Sequence, residues 1–275
     1  MPELPEVETV AQGVHDRAHG QRILSAVFSR AREPFKTDPE ILSAVLAGLR
    51  IARVHRVGKH IVFDLEGPRH KPAAHQFLVH LGMTGRLLYS HASVPVPPHT
   101  HARLMLSSGY ELRFVDARRF GRLGLHTIEN AQPFQGPGRE PLTISPDDFC
   151  ALFRGRKLSI KAALLNQKLL HGVGNIYADE SLFRAGIRPT RIAGSISRPR
   201  LLRLHAALQA VLRHAIQLGG SSVSDYVDAD GVRGFFQLEH RVYDRAGEPC
   251  RDCGAEIRKI VHAGRGTHYC PSCQR

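Results

Sequence analysis

Residues 159–189 read SIKAALLNQKLLHGVGNIYADESLFRAGIRP. The pattern predicts an apolar helix that ends near Leu170, a turn through Gly172 and Gly174, and a second helix that begins just after Asn175. Glycine permits the close backbone approach that brings amide N–H groups onto a phosphate, and Asn175 adds a side-chain donor at a helix N-terminus. The stretch therefore predicts an anion site between two helices, although a Gly-x-Gly turn alone fits a simple helix connector equally well.

On either side of this stretch, the spacing of the apolar residues divides the chain into a region of strands and a region of helices. Residues 23–126 are predicted to form strands and turns at the spacing of a β-sandwich, and the acidic start of the chain, to about residue 19, is predicted to form a helix. A loop rich in proline and glycine begins at residue 132 and is interpreted as a hinge. Beyond it the period is helical, and an apolar stripe stops at Gly219 and Gly220. The stripe consists of Leu201, Leu204, Leu208, Val211, Leu212, Ala215 and Ile216.

The cysteines are concentrated at the end of the chain. Cys250 and Cys253 form one Cys-x2-Cys pair, and sixteen residues separate it from a second pair, Cys270 and Cys273. This spacing is typical of a zinc ribbon, in which two tight turns each present two thiolates to one tetrahedral ion. Two disulfides in a secreted domain are the alternative reading. We predict one structural Zn2+ ion, and we expect Cys150 to fill a small apolar space.

The charge balance indicates a polyanionic partner. Lys and Arg number 38 against 25 Asp and Glu, so the formal net charge is +13, and four thiolates with one Zn2+ would lower it by two. Nucleic acid fits this charge better than a membrane surface does, because the sequence has no basic amphipathic helix and no apolar run approaching the ~20 residues of a spanning helix. The acidic N-terminus does not follow the order of a signal peptide, so we expect a cytoplasmic protein.

Five motifs, in this order, closely resemble the formamidopyrimidine-DNA glycosylase (Fpg) family of bifunctional repair enzymes. They are MPELPEVET at 1–9, HLGMTG at 80–85, DARRFG at 116–121, GVGNIYADESLF at 172–183 and HAGRGTHYCPSCQR at 262–275. The resemblance spans the whole chain. It implies an α+β multidomain fold with an N-terminal β-sandwich and flanking helices, a C-terminal helical domain with a helix-two-turns-helix motif, and a zinc ribbon.

The resemblance and the segment pattern together define the expected domains. They are an N-terminal catalytic β-sandwich domain at 1–131, a hinge at 132–145, a helical DNA-binding domain at 146–238 and a zinc-finger ribbon at 239–275. The implied partner is double-stranded DNA that contains oxidised bases or abasic sites. We expect a monomer of bacterial type, associated with the nucleoid and not with a membrane.

The first residues of the chain carry the predicted catalytic chemistry. Removal of Met1 leaves Pro2 with a free secondary amine, and the resemblance implies that this amine is the nucleophile. A terminal amine titrates near ~8 rather than the ~10.4 of lysine, so more of it is unprotonated at neutral pH. The resemblance also implies that Glu3 is the general acid that assists sugar ring opening, and that Glu6, one helical turn on, holds Pro2 and Glu3 in place. Glu8 is expected to be a solvated surface residue, and an ordinary acidic helix start is the alternative for the whole stretch.

Basic residues are predicted to hold the DNA backbone near the lesion. Lys59 has the same strand parity as its apolar neighbours in VGKHIVFDL, so we expect its side chain to emerge from the apolar face of the strand. A lysine at such a position needs an anionic partner. The alternative is an ordinary surface lysine. The resemblance places Lys59 among the catalytic residues, in contact with a phosphate near the lesion, and gives Lys161 the same phosphate role. The resemblance also matches Arg265, between the two cysteine pairs, to the zinc-finger arginine that binds phosphates beside the lesion. Gly172, Gly174 and Asn175 complete this DNA-binding set.

A flipped nucleotide leaves a gap in the duplex, and filling the gap offsets part of the unstacking cost. The resemblance implies that Met83 and Arg118 fill the gap and that Phe120 wedges between base pairs. Core packing is the alternative for Met83 and for Phe120. The long segment 219–236 resembles the loop that closes over an oxidised purine, but Ser224 stands where many relatives have Lys or Arg, which leaves detailed base recognition open.

The expected activity is excision of oxidised purines, 8-oxoguanine and formamidopyrimidines, through a Schiff base on the N-terminal proline, followed by strand cleavage by β,δ-elimination. One alternative is an endonuclease VIII-type glycosylase for oxidised pyrimidines, which shares the fold and the catalytic start. The other is a non-catalytic protein that binds damaged DNA on the same scaffold.

Overall fold

The chain divides into two compact units. A computed structural model describes residues 1–31, 33–130, 132–223 and 226–275. The first unit consists of Met1–Gln135 together with Gly219–Phe235, and the second consists of Gly136–Leu218 together with Phe236–Arg275. The segment Gly219–Phe235 therefore packs with the N-terminal unit although it follows the longest helix of the second unit in sequence. The domain boundaries derived from the sequence remain a prediction.

The first unit is a β-sandwich with helices beside it. One four-stranded sheet has the order β1-β6-β7-β5, the other has the order β2-β3-β4-β8, and all strand pairs within them are antiparallel. Apolar side chains of both sheets and of the first helix form one core. The elements are α1 (Leu4–Ala18), β1 (Ile23–Phe28), α2 (Pro39–Leu46), β2 (Arg50–Val57), β3 (His60–Glu66), β4 (Pro72–His80), β5 (Arg86–His91), β6 (Thr100–Leu106), β7 (Tyr110–Val115) and β8 (Arg122–Thr127).

Helix α1 presents the first residues of the chain on a fixed base. Its buried positions follow the helical period at Val7, Val10, Ala11 and Val14, so the helix packs one face into the sandwich core. Pro5 lies in the first turn, where its missing N–H has no helical partner to lose. The helix predicted for this stretch is confirmed.

One strand prediction was wrong at Lys59. The sequence suggested a continuous strand through VGKHIVFDL, but β2 ends at Val57, and Val57 pairs with His60. Gly58 and Lys59 therefore form a two-residue turn, in which Gly58 has a φ of 61° that few other residues adopt without strain. Strand parity does not set the direction of the Lys59 side chain, because the residue lies at the tip of the hairpin.

The second unit contains the helices and the ribbon. Its elements are α3 (Pro146–Phe153), α4 (Ile160–Leu165), α5 (Asn175–Arg184), α6 (Arg198–Gln217), β9 (Arg258–His262) and β10 (Arg265–Tyr269). The predicted apolar stripe of α6 is buried from Leu201 to Ala215, and the helix ends just before Gly219 as expected.

Helix α4 ends at Leu165 rather than near Leu170. The side-chain amide of Gln167 donates to the carbonyl oxygens of Leu165 and Val173 and accepts from the N–H of Gly172. The bond to Leu165 gives a main-chain oxygen at the end of α4 a partner, and the other two bonds lie in the turn that follows. Gln167 thereby shapes the turn that leads into α5.

Candidate active site and DNA-binding residues

The carboxylate of Glu6 organises the start of the chain. Pro2, Glu3 and Glu6 are all buried. Glu3 is the residue before α1, and its N–H donates to Oε2 of Glu6 over 2.8 Å. This is one half of a capping box, which satisfies a main-chain donor at a helix start. The bond fixes the backbone of Glu3 next to Pro2, so three of the predicted catalytic residues, Pro2, Glu3 and Glu6, lie together.

A distant segment meets the same carboxylate. The N–H of Ser221 donates to Oε1 of Glu6 over 2.7 Å, and the hydroxyl of Tyr226 donates to the main-chain oxygen of Glu6 over 3.3 Å. Burial and the charge of Glu6 raise the pKa of Tyr226, so this hydroxyl keeps its proton. The segment after α6 therefore contributes directly to the surroundings of the predicted catalytic residues.

An ion pair between Arg56 and Glu8 holds the Lys59 turn. Arg56, which the sequence did not single out, donates through Nε to Glu8 at 2.7 Å and through Nη1 to the carbonyl oxygen of Gly58 at 3.2 Å. Glu8 is therefore half-buried and ion-paired, which corrects the expectation of a solvated residue. The pair ties α1 to the β2–β3 turn and so fixes the main chain beside Lys59 relative to α1.

His80, at the end of β4, lies beside the same turn. Burial lowers the pKa of His80 to about 4, and the positive charges of His60, Lys59 and Arg122 act in the same direction. Nδ1 of His80 accepts the N–H of Gly82 over 3.1 Å. The HLGMTG motif contained this residue, but a histidine in a motif does not by itself indicate which group it contacts. His80 supports the start of the loop that carries Met83.

Met83, Arg118 and Phe120 are carried by two adjoining loops of the first unit. Met83 is 37% exposed and Phe120 is 44% exposed, and the guanidinium of Arg118 lies 4.8 Å from the centre of the Phe120 ring. The two loops touch, because a Cβ added at Gly82 would lie 2.4 Å from the main-chain carbon of Phe120. Core packing, the alternative for Met83 and Phe120, does not fit this exposure.

Asp116 joins the two loops and was missed at the sequence level. Oδ1 accepts the hydroxyl of Thr84 over 2.6 Å and Oδ2 accepts the N–H of Gly121 over 2.8 Å, while the residue is fully buried. Each oxygen thus binds a donor from a different loop. The only available signal was its place at the head of DARRFG, which does not reveal a partner more than thirty residues earlier in the chain.

In the second unit, Asn175 begins α5 and contacts the ribbon. Gly174 is the residue before the helix, and Gly172 has a φ of 90° in the preceding turn. Nδ2 of Asn175 donates to the main-chain oxygen of Gly266 over 2.9 Å. Gly266 follows Arg265, the exposed first residue of β10. The predicted anion-binding turn and the predicted phosphate-gripping arginine are thus linked by one hydrogen bond.

Lys161 has surroundings different from those predicted. Its side chain is 1% exposed, forms an ion pair of 2.7 Å with Asp179, and donates to Gly266 O and to Oγ1 of Thr267. The other carboxylate oxygen of Asp179 accepts the N–H of His268 over 2.9 Å. Both Lys161 and Asp179 therefore fasten the β9–β10 hairpin to the helices, and the predicted direct phosphate contact does not match this burial.

The four predicted zinc ligands converge. Their Sγ atoms all lie within 4.8 Å of one another, with 3.5 Å between Cys253 and Cys270 and 3.9 Å between Cys250 and Cys273. Four thiolates at ~2.3 Å from one tetrahedral Zn2+ would be about 3.8 Å apart, so the donor set fits the ion. Cysteine binds Zn2+ as the thiolate, so zinc binding by these four residues is coupled to proton release.

Ser224, the residue for which base recognition was left open, lies outside the described residues. Within the part of the chain that the structure describes, no helix combines the length and the apolar character needed to cross a bilayer.

Three family models match the chain. They are the formamidopyrimidine-DNA glycosylase N-terminal domain at residues 1–123, the formamidopyrimidine-DNA glycosylase H2TH domain at 137–227, and the zinc finger found in FPG and IleRS at 247–275. Together they account for the sandwich, the helices and the cysteine ribbon.

Relatives and solved structures agree along the full length. Formamidopyrimidine-DNA glycosylase of Solibacter usitatus (strain Ellin6076) is 46% identical over 279 residues, and that of Burkholderia mallei (strain SAVP1) is 43% identical over 281 residues, each with 100% of both chains covered. The MutM (Fpg) protein of Thermus thermophilus is 40% identical with a TM-score of 0.85, covering 99% of this chain and 98% of that one. Lactococcus lactis Fpg in complex with abasic-site DNA is 35% identical, with a TM-score of 0.88 and 99% of each chain covered. By its domains, fold and full-length similarity, the chain belongs to the formamidopyrimidine-DNA glycosylase family.

Proposed function

We propose that this protein is a bifunctional DNA glycosylase and abasic-site lyase of base excision repair that acts on oxidised purines in duplex DNA. The observation that carries the proposal is the arrangement at the start of the chain, where Pro2 and Glu3 are buried and the carboxylate of Glu6 accepts the N–H of Glu3. A scaffold that only bound DNA would have no need of a nucleophile and an acid fixed side by side.

Pro2 is the proposed nucleophile. After removal of Met1, its secondary amine attacks C1′ of the damaged nucleoside and the base departs. The resulting iminium ion carries its positive charge without further protonation, so it withdraws electrons from C2′ and acidifies the protons there. β-Elimination then expels the 3′ phosphate and δ-elimination expels the 5′ phosphate, which leaves a one-nucleoside gap.

Glu3 and Glu6 have different tasks in this proposal. Glu3 donates a proton as the sugar ring opens, since it adjoins the nucleophile in sequence. Glu6 accepts main-chain N–H groups on both of its oxygens, which is the behaviour of an ionised carboxylate. Glu6 therefore positions Pro2 and Glu3 rather than donating a proton.

The DNA contacts divide between the two units. Lys59 binds a phosphate beside the catalytic residues, and Met83, Arg118 and Phe120 enter the duplex in place of the flipped nucleotide, which their exposure permits. Arg265, Asn175 and the turn at Gly172 and Gly174 bind the backbone. Lys161 contributes by holding the hairpin of Arg265 from the interior, and the Zn2+ ion folds the ribbon behind it.

Ring-opened and oxidised purines are the proposed substrates. A solved complex of a Lactococcus lactis Fpg mutant contains Fapy-dG DNA, one of Lactococcus lactis Fpg contains abasic-site DNA, and another contains oxidised-pyrimidine DNA. The first two support the proposed substrates, and the third supports oxidised pyrimidines as a second substrate class. We further propose that the protein acts as a monomer in the bacterial cytoplasm, next to its DNA substrate.

Borohydride trapping tests the central step. Processed protein, with the loss of Met1 verified by mass, should form a covalent adduct with a duplex that contains 8-oxoguanine opposite cytosine. The same chain with Met1 retained is the matched control and should trap little, as should Pro2→Gly. Equal trapping by the processed and unprocessed proteins would show that Pro2 is not the nucleophile.

Substrate choice is tested separately. Single-turnover excision of 8-oxoguanine, a formamidopyrimidine and thymine glycol should be compared in otherwise identical duplexes. We expect both purine lesions to be removed faster than thymine glycol. Faster removal of thymine glycol would favour the endonuclease VIII-type alternative.

A further inference from the structure

A turn outside the set of predicted catalytic residues, Gly219 to Ser221, binds the carboxylate of Glu6 and forms its seat. Gly219 and Gly220 have φ values of 73° and 82°, and this left-handed pair turns the chain so that the N–H of Ser221 points at Oε1 of Glu6 over 2.7 Å. The other oxygen of the same carboxylate accepts the N–H of Glu3. Glu6 thus bridges the turn and the residue next to Pro2.

Gly220 lies against Glu6 with no room for a side chain. A Cβ at this position would lie 2.9 Å from Oε1, 3.0 Å from Cγ and 3.3 Å from Cα of Glu6. The main-chain Cα of Glu6 is part of α1, which is packed into the sandwich core, so it has little freedom to retreat. A larger residue at 220 would therefore have to displace the carboxylate.

The turn is itself anchored to the first unit. Oγ of Ser222 accepts the N–H of Gly234 and donates to the main-chain oxygen of Tyr226, and the Tyr226 hydroxyl reaches the main chain of Glu6. Further along, the N–H of Tyr89 on β5 donates to the main-chain oxygen of Ala229. These bonds hold the segment on the sandwich, so the seat of Glu6 is a fixed part of the unit.

We propose that Gly220 and the main-chain N–H of Ser221 are positioning groups for the reaction at Pro2. By holding one oxygen of Glu6 they direct the other to the backbone of Glu3, and they do so on substrates that have no base to recognise. The inference rests on the proposed function, and it extends the catalytic assembly to a segment more than 200 residues away in the chain.

The chain offers a matched pair of variants. Gly220→Ala places Cβ against Glu6, whereas Gly231→Ala, in the same segment at a φ of 80°, adds Cβ in open space with no heavy atom within 4 Å. Both substitutions impose the same kind of backbone strain on an L residue. Any difference between them therefore reports the contact with Glu6.

The measurement uses a duplex with an abasic site, so that base recognition plays no part. At saturating protein, we expect the single-turnover rate of borohydride trapping to be at least ~10-fold lower for Gly220→Ala than for Gly231→Ala, which corresponds to about 1.4 kcal/mol in the barrier. The dissociation constant for a duplex with a tetrahydrofuran abasic analogue should differ by less than about twofold between them, since a positioning group alters the reaction step and not binding.

The outcomes separate this inference from the proposed function. If the unsubstituted, processed protein formed no borohydride-trapped adduct with DNA, the proposed function itself would be contradicted. Normal trapping by that protein, with equal rates for the two variants, would overturn the positioning role alone. If Gly220→Ala does not fold, Tyr226→Phe decides, because it removes the hydroxyl that anchors this segment to the main chain of Glu6 and leaves the ring in place. Slower trapping at unchanged affinity supports the positioning role, and an unchanged rate counts against it.

Discussion

At the scale of the residue, buried carboxylates do much of the positioning. Asp116 binds one donor from each of two loops, Glu6 binds the N–H groups of Glu3 and Ser221, and Asp179 binds Lys161 and the main chain of His268. A carboxylate suits this task because each oxygen accepts independently, so one side chain can join two segments.

Asp116→Ala is expected to separate the loops of Met83 and Phe120. Loss of the carboxylate leaves the buried N–H of Gly121 and the Thr84 hydroxyl without this acceptor, which costs roughly 1–3 kcal/mol of unfolding free energy. Excision of 8-oxoguanine from duplex DNA should fall ~10-fold, measured under single-turnover conditions. Thr84→Val, which removes one of the two bonds, is the control and should have a smaller effect. Cleavage of single-stranded abasic DNA should change little, and an equal loss there would contradict the gap-filling role of the loops.

Lys161→Met tests whether this lysine is structural. Removing one partner of a buried ion pair leaves the other charge uncompensated, and about 3–5 kcal/mol of unfolding free energy should be lost. The double variant Lys161→Met with Asp179→Asn should recover part of that loss in denaturant titrations, because it removes both charges. If Lys161 bound only phosphate, Lys161→Met would instead weaken DNA binding and leave the unfolding free energy unchanged.

At the scale of the element, α5 and the β9–β10 hairpin behave as one assembly. Asp179 on α5 binds the main chain of His268, and the adjacent Glu180 accepts N–H groups from Arg241, Val242 and Tyr243. Three of the predicted zinc ligands, Cys250, Cys270 and Cys273, pack in one cluster with Phe183 of the same helix. The helix that begins at the predicted anion site is therefore also the support of the ribbon.

Cys253→Ser is expected to release the ribbon from its zinc. A structural zinc site contributes folding energy directly. Without zinc the hairpin should lose its fixed position, and the side chain of Arg265 should no longer be oriented for DNA binding. Affinity for a lesion duplex should fall at least ~10-fold, with zinc content measured on the same sample. Cys150→Ser, which changes a cysteine outside the cluster, is the matched control. Unchanged affinity after verified loss of zinc would contradict this role.

At the scale of the whole molecule, charge governs the encounter with DNA. The formal net charge of +13 falls to +11 when four thiolates bind Zn2+, so the holo protein remains basic. Each phosphate that the protein neutralises releases counterions from the duplex. Binding is therefore expected to depend strongly on salt.

The salt dependence can be assigned to single residues. Arg265→Gln should reduce the slope of log K against log salt by about one, since it removes one phosphate contact. Arg30→Gln, at an exposed position of the first unit that is not among the predicted DNA contacts, lowers the net charge equally and should leave the slope nearly unchanged. Equal slopes for the two variants would mean that Arg265 acts only through overall charge.

Acid should destabilise the protein through His80. Its folded-state pKa of about 4 lies below the usual 6.5, so between these values the unfolded chain binds a proton that the folded chain does not. The unfolding free energy should therefore decrease as the pH falls from 6.5 to 4, by up to roughly 3 kcal/mol, and then level off for this group. His80→Gln should flatten that part of a stability profile measured by denaturant titration, whereas the exposed His91→Gln should not. An identical profile for the two variants would exclude His80 as the cause.

Patterns confined to one turn or one helix follow from residues that are close in the chain. The four cysteines predict their own convergence, because Cys-x2-Cys pairs bend locally and a tetrahedral ion needs two of them. The start of α1 and the apolar face of α6 follow from residues three or four apart. The motifs also indicated the chemistry of Pro2 and Glu3 and the family to which the chain belongs.

The contacts between groups far apart in the chain are visible only in the folded protein. Ser221 and Glu6 are 215 positions apart, and Lys161 and Thr267 are 106 apart, so no local period encodes either bond. The same is true of Asp116 and of Arg56, whose partners come from separate loops and from α1. The predicted reactive groups, the zinc ligands and the amphipathic faces could be read from the amino-acid sequence, because these depend on neighbours in the chain. The seat of Glu6 and the burial of Lys161 required the fold, because packing of remote segments places a donor beside an acceptor.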